Sequence, residues 1–165
     1  MPEPAPERIR NPIATIGYER AKLDDFLRTL RAAGVKTLFD IRANAWSRRS
    51  EYAAKRLEAA LAAVGIDYRH LPSLGSPDPA RDAAKAGDAA GFERHYRAQL
   101  ATEAARESLG VVADAAARAP VCLMCYERDP RDCHRRLTAD ALQAMTGHAP
   151  RHLIVAAEPA PGALL

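Results

Sequence analysis

The sequence predicts a single α/β domain: three layers, with helices on both faces of a mostly parallel sheet of about four to five strands. Three observations predict it. Short apolar, β-branched runs alternate with stretches of helical spacing from residue 13 to residue 156. Such alternation favours parallel strands joined by right-handed crossovers. Glycines at 34, 65 and 147 follow the helical stretches, where a helix commonly ends on a left-handed residue. A length of 165 residues, with no internal repeat and no linker, is enough for one substantial core.

The elements follow in order. Residues 1–12 are rich in proline and read as a flexible lead-in. Ile13-Ala14-Thr15-Ile16 reads as a short buried strand that stops at Gly17. Leu23, Phe26, Leu27 and Leu30 recur at i, i+3, i+4 and i+7, one face of a helix. Val35 to Ile41 is the second strand, with Asp40 and Arg42 at its far end. After a polar loop from Ala43 to Ser50, Tyr52, Leu57, Leu61 and Val64 make the next helical stripe. Ile66 to Leu71 is the third strand, ending near His70. Leu74-Gly75-Ser76-Pro77-Asp78-Pro79 reads as a turn-rich loop, and the longer stretch Ser73 to Gly91 is the one candidate for a mobile lid. Phe92, Tyr96 and Leu100 mark one helix, and Leu109, Val112 and Ala116 another. Val121 to Tyr126 is the fourth strand, a helix then runs on to Thr146, and Arg151 to Val155 is a last strand. Pro159, Pro161 and Gly162 mark a loose tail over 157–165.

Hydrophobic residues make up 48% and charged residues 27% of the chain, ordinary proportions for a globular protein. No apolar run approaches the ~20 residues that cross a bilayer, and the start lacks a charged-then-apolar leader. No membrane partner is therefore expected, and the location expected is cytoplasmic. Three cysteines, two of them close together in a polar cluster, fit a reducing compartment better than a disulfide framework. The net charge is +3, and Lys22, Lys36, Lys55 and Lys85 are the only lysines. The positive charge is thus mostly arginine, which binds phosphate and carboxylate bidentately. An anionic small molecule or nucleic acid is the partner this suggests, against the blander reading of compositional bias. Oligomeric state has no signature in the sequence.

Cys125 to Arg136 reads Cys-Tyr-Glu-Arg-Asp-Pro-Arg-Asp-Cys-His-Arg-Arg. It lies between a strand and a helix, where open α/β sheets bind ligands beyond the carboxyl ends of their strands. Cys133 is expected in the first turn of the following helix, where the macrodipole favours a thiolate and a nucleophile. Cys125, at the strand end, is open between packing and chemistry. Cys122 points to the opposite sheet face from Cys125 and reads as core. His134 and Glu127 are candidate acid/base groups, with a buried salt bridge as the plainer reading of Glu127. Asp40, Arg42, His70 and Cys125 all end strands of one parallel sheet and are expected to converge. Cys125, Cys133, His134 and His70 offer zinc-type donors, but their spacing matches no common zinc motif. No metal or other cofactor is expected on that basis. Cys125 and Arg131 also stand in a Cys-x5-Arg spacing, as in enzymes that form a phosphocysteine, though Glu127 and Asp129 would repel a phosphate there. Trp46, beside Arg42, Arg48 and Arg49, either stacks a base or packs over the sheet.

Four segments carry a family resemblance: Thr15-Ile16-Gly17-Tyr18-Glu19; Asp40-Ile41-Arg42 with Ser47-Arg48; His70-Leu71-Pro72 with Leu74-Gly75; and Cys125-Tyr126-Glu127, Pro130 and Cys133-His134-Arg135. In these the chain resembles the domain-of-unknown-function family numbered 488, from about Ile13 to Val155. The resemblance implies an α/β fold and a shared polar site, and it supplies no substrate. The chain departs from the usual pattern at Asn44-Ala45-Trp46 and at Ser76-Pro77, both in loops.

The functional expectation is an enzyme-like site at the carboxyl ends of the strands, a cysteine-dependent hydrolase or transferase. Cys125, Cys133, His134 and Glu127 would be catalytic. Tyr18, Asp40, Arg42, Arg48, His70 and Arg135 would hold an anionic substrate: a nucleotide, a nucleic-acid end or a small anion. The alternative is a non-catalytic module for nucleic acid or anions, with the cysteines merely structural.

Overall fold

The computed structural model describes residues 12–157. The expected lead-in and tail fall almost wholly outside that range. Five parallel strands form one sheet: β1 (Ile13–Gly17), β2 (Thr37–Asp40), β3 (Asp67–His70), β4 (Val121–Cys125) and β5 (Arg151–Leu153), in the order β3-β2-β4-β1-β5. β4 and β1 are buried at every position, and only Thr15 interrupts their apolar runs. That is what a strand covered on both faces requires.

Six helices are present among the described residues: α1 (Leu23–Ala32), α2 (Ala54–Ala62), α3 (Asp78–Lys85), α4 (Ala89–Leu100), α5 (Glu103–Ala116) and α6 (Arg135–Thr146). Phe26 and Leu30 of α1 and Leu57 and Leu61 of α2 pack on the face that carries Ala14, Ile16, Leu38, Cys122 and Met124. Leu109 and Val112 of α5 and Leu142 of α6 pack on the other face, with Ile13, Phe39, Leu123 and Cys125. The three layers follow from this period-two sorting of strand side chains. It also sends Cys122 and Cys125 to opposite faces, as expected.

The chain leaves β1 toward one face and β4 toward the other. These two strands are neighbours, with Gly17 opposite Cys125. A crevice therefore opens beyond their carboxyl ends, the usual ligand position in such sheets.

Two expectations are corrected. The Ser73 to Gly91 stretch, with no helix expected in it and a mobile lid suggested, contains α3, which buries Ala80 against Tyr96 and Leu137. Its single small apolar anchor in an alanine-rich segment leaves no hydrophobic stripe to read. Pro79 in the first turn, which signals a loop, in fact suits a helix start. Cys133 is the second correction. It lies just before α6 in extended conformation, behind a 3-10 turn at Pro130–Asp132, and His134 is the N-cap residue.

Candidate functional site

The loop after β4 folds back over the end of β1. The Tyr18 and Glu19 amides donate to the carbonyls of Cys125 (3.3 Å) and Tyr126 (2.8 Å), and the Arg128 amide donates to the Glu19 carboxylate (3.1 Å). Gly17 makes this possible, because a Cβ there would collide with the Glu127 carbonyl. Gly75 plays the same part for the loop after β2, where a Cβ would strike the backbone of Ala43.

The folded-back loop returns Cys133 to Cys125. The two sulfurs are joined as a disulfide, with their Cα atoms 7.4 Å apart and a sequence separation of 8. Cys122 is free and buried, and burial pushes its thiol pKa far up. Glu127 turns its carboxylate inward, with Oε2 3.6 Å from the Cys125 sulfur. Donor atoms of Cys125, Glu127 and Cys133 all lie within 4.8 Å of one another. Burial raises the Glu127 pKa, against the pull of its own backbone and of Arg135.

His134 is buried, and its Nε2 is 2.9 Å from the Ile41 carbonyl. A carbonyl can only accept, so Nε2 carries the proton. Nδ1 is then a lone pair, 3.6 Å from the Cys133 sulfur. Burial lowers the imidazole pKa to about 4, helped by Arg135 and opposed by the Ile41 bond. The ring is neutral at neutral pH.

Arg135 is fully buried under this floor. Its Nε donates to Thr15 Oγ1 (3.1 Å), Nη1 to the Cys125 sulfur (3.1 Å) and to the Glu127 carbonyl, and Nη2 to the Arg128 carbonyl (3.0 Å). None of these acceptors is a carboxylate. Burial pulls its pKa below the ordinary guanidinium value. Arg42 is held differently. Asp40 binds it through two oxygens, at 2.9 Å to Nε and 2.7 Å to Nη2, and Tyr18 Oη and the Tyr52 carbonyl take the remaining bonds. Burial works against the Arg42 charge, but the hydrogen bond and attraction of Asp40 more than offset it and raise its pKa.

Above the floor is an open cavity of about 410 Å³. Cys125, Cys133, Glu127, His134, Tyr18 and Arg42 line its inner part, and Trp46, Tyr126, Phe92, Arg81 and Lys85 its rim. Trp46 is 64% exposed and Tyr126 48%. Two large aromatic rings left in water beside cations are unusual for a surface that binds nothing.

Of the residues named from sequence, Tyr18, Arg42, Cys125, Glu127, Cys133 and His134 therefore meet in one cavity. Asp40 is sealed beneath it, bound to Arg42 and to Tyr68 Oη (2.5 Å). His70 lies outside and bonds the Arg42 carbonyl (2.6 Å). Arg48 is exposed and outside the lining. Arg135 lies behind the lining, not in it. Glu127 gives Arg135 its carbonyl, and no salt bridge joins the two side chains among the described residues. Arg131, of the Cys-x5-Arg spacing, is exposed, paired with Asp129 (2.8 Å) and away from the cavity. Sequence reasoning missed Arg81, Lys85, Phe92 and Tyr126. For the first two the signal was their i, i+4 spacing, which puts them on one helix face.

A family model described as "Domain of unknown function DUF488" matches residues 22–142. The chain belongs to that family. The matched span covers the Cys125–Arg135 segment and the Asp40–Arg42 pair, and is narrower than the Ile13 to Val155 expected from the motifs. The Thr15–Glu19 segment lies outside it. No curated protein and no solved structure was found to match the chain.

Proposed function

We propose that the cavity is a thiol-dependent hydrolase or transferase site for an anionic, ring-bearing substrate: a nucleotide or the end of a nucleic-acid strand. One observation carries this reading. Arg135 is a buried cation with no carboxylate partner, and its guanidinium touches the Cys125 sulfur. A buried charge is rarely left without a counter-charge. Reduction of the disulfide by an external dithiol adds two electrons and two protons. Cys125 can then lose its proton to solvent and become the missing anion. A thiolate at the inner end of a cavity is a reactive group.

The neighbours suit that role. Glu127, its carboxyl pKa raised by burial, can carry or take a proton beside Cys125. Neutral His134 offers Nδ1 as acceptor to the Cys133 thiol. Lys85, with Arg81 beside it and paired to Asp78, supplies positive charge at the rim, and Trp46 and Tyr126 offer ring faces on which a base stacks, for ~1–3 kcal/mol per base.

Trp46 is the only tryptophan, so its fluorescence reports occupancy directly. Titration with nucleoside monophosphates and short single strands should quench it saturably, with affinity falling as salt rises. The double substitution R81A/K85A should weaken binding about tenfold, ~1.4 kcal/mol. No saturable change with any of these ligands would dismiss the substrate class. A non-catalytic binding module would give the same quenching. It would also leave the ligand chemically unchanged after prolonged incubation with reduced protein, whereas the thiol-dependent reading expects turnover that C125S abolishes.

A further inference from the structure

We propose that, when its thiols are reduced, the floor of the cavity is a zinc site in which Cys125, Glu127 and Cys133 are the protein ligands. The inference says how the thiols act. It is independent of what the rim binds, since metal uptake is measured without substrate.

The donor set comes first. Two sulfurs and a carboxylate oxygen gather within 4.8 Å of one another, with both cysteines buried. Thiolate with carboxylate is a borderline-soft set that suits Zn²⁺ better than Mg²⁺ or Ca²⁺. The three donors come from one short stretch, but as Cys-x-Glu and a cysteine eight residues beyond Cys125. No zinc-motif pattern covers that spacing, which is why the sequence offers the donors without assigning a site.

Backbone spacing is the second argument. The Cα atoms of Cys125 and Cys133 are 7.4 Å apart, wider than the ~4.4–6.8 Å usual for bridged cysteines. Two thiolates gripping one tetrahedral ion hold their sulfurs about 3.8 Å apart, at ~2.3 Å from the metal. A pair of cysteines with this wider backbone separation accommodates that arrangement with little movement.

Charge is the third. Two thiolates and a carboxylate carry one more negative charge than a divalent ion neutralises. Arg135, with its Nη1 3.1 Å from the Cys125 sulfur and no carboxylate of its own, supplies the missing positive charge. Such a hydrogen bond to a ligating atom is how protein groups behind a metal site orient its ligands. The Arg135 amide points at the Cys133 sulfur too (3.4 Å).

Three protein ligands leave a fourth position, and the group faces the cavity rather than the core. Zinc sites with three protein ligands and one open position are those that act on substrates, whereas structural sites are closed by four. Uptake replaces two S–H bonds by two Zn–S bonds and releases the thiol protons to the buffer.

The test uses the full chain, reduced with a phosphine and freed of metal. Zn²⁺ is titrated against a chromophoric chelator, and Co²⁺ is used as a spectroscopic probe. We expect one ion per chain, with a thiolate-to-cobalt charge-transfer band. C125S and C133S should each lose the band and at least a hundredfold in affinity, and E127Q should lose about tenfold or more. C122A should bind as the wild type does. The oxidised protein should bind nothing until reduced. Because the wild-type result needs no variant to fold, failure of the reduced wild-type chain to bind Zn²⁺ more tightly than micromolar overturns the proposal. So does a charge-transfer band that survives C125S, or an E127Q protein that binds as the wild type does. If zinc fails while nucleotides still quench Trp46, the metal site alone falls. If zinc binds while nucleotides do not, the substrate reading alone falls.

Discussion

Arg42 and Arg135 are both buried guanidinium groups at the carboxyl edge of the same sheet, and they are held in opposite ways. Arg42 is clamped through two bonds by Asp40, two residues away. Its charge is cancelled on the spot, and it acts as a strut that braces Tyr18 and the Tyr52 carbonyl while edging one side of the cavity. Arg135 receives only neutral oxygens and a sulfur. Its hydrogen bonds are satisfied, but no carboxylate accepts one of them. A satisfied strut needs nothing further. Glu127 and Asp129 attract this cation only through space, and the group in direct contact with it that can become an anion is the thiol of Cys125. The contrast separates architecture from chemistry at one edge of the sheet.

The largest effect should come from breaking the satisfied pair. Asp40→Ala leaves Arg42 buried and unpaired, and should cost ~3–5 kcal/mol of stability, read as a fall in the urea midpoint. This loss should be the same in oxidised and reduced protein, because Asp40 does not touch the sulfurs.

Arg135→Met should behave otherwise. It removes hydrogen bonds in both redox states but removes a counter-ion only in the reduced one. The cost should therefore be greater in the reduced protein, by ~1–3 kcal/mol, the range for a hydrogen bond to a charged group. Equal costs in the two states would make Arg135 a second strut and erase the contrast.

Gly17→Ala is a milder perturbation of the same loop. The new methyl meets the Glu127 carbonyl, which Arg135 also binds. Overpacking of this kind costs ~1–3 kcal/mol. It should also shift Cys125 relative to Cys133, measured as easier reduction by a graded thiol buffer. Smallest for the fold are rim substitutions: R81A and K85A should leave the urea midpoint unchanged while weakening nucleotide-induced quenching of Trp46.

Much of this arrangement was legible in the residues. The apolar runs at Ile13–Gly17 and Val121–Cys125 announced central strands, and a parallel sheet brings its strand ends together. The meeting of Tyr18, Arg42, Cys125, Glu127, Cys133 and His134 follows from that. What was not legible turns on the direction of single side chains. Asp40 looked like a substrate-binding carboxylate, but burial and Arg42 seal it below the cavity. Arg135 looked like an anion clamp, but the first turn of α6 aims it at Thr15 and the backs of the loop carbonyls. Spacing along the chain does not tell which way an arginine near a helix start will point. α3 was hidden for another reason. A short alanine-rich helix anchored by Ala80 has no apolar stripe, and with it Arg81 and Lys85 were missed. That the two thiols share one pocket was expected, but their direct bond was not, because it depends on a loop reversing over Gly17.

The most direct test of the account is the ionisation of Cys125 in the reduced, metal-free chain. It is measured as thiolate absorbance against pH, taken as the difference between wild type and C125S. The account predicts a thiolate that forms well below the ordinary value of about 8.5, and whose formation moves up in pH when Arg135 is replaced by methionine. A Cys125 that stays protonated to the ordinary value or beyond, or that ignores the loss of Arg135, would contradict it.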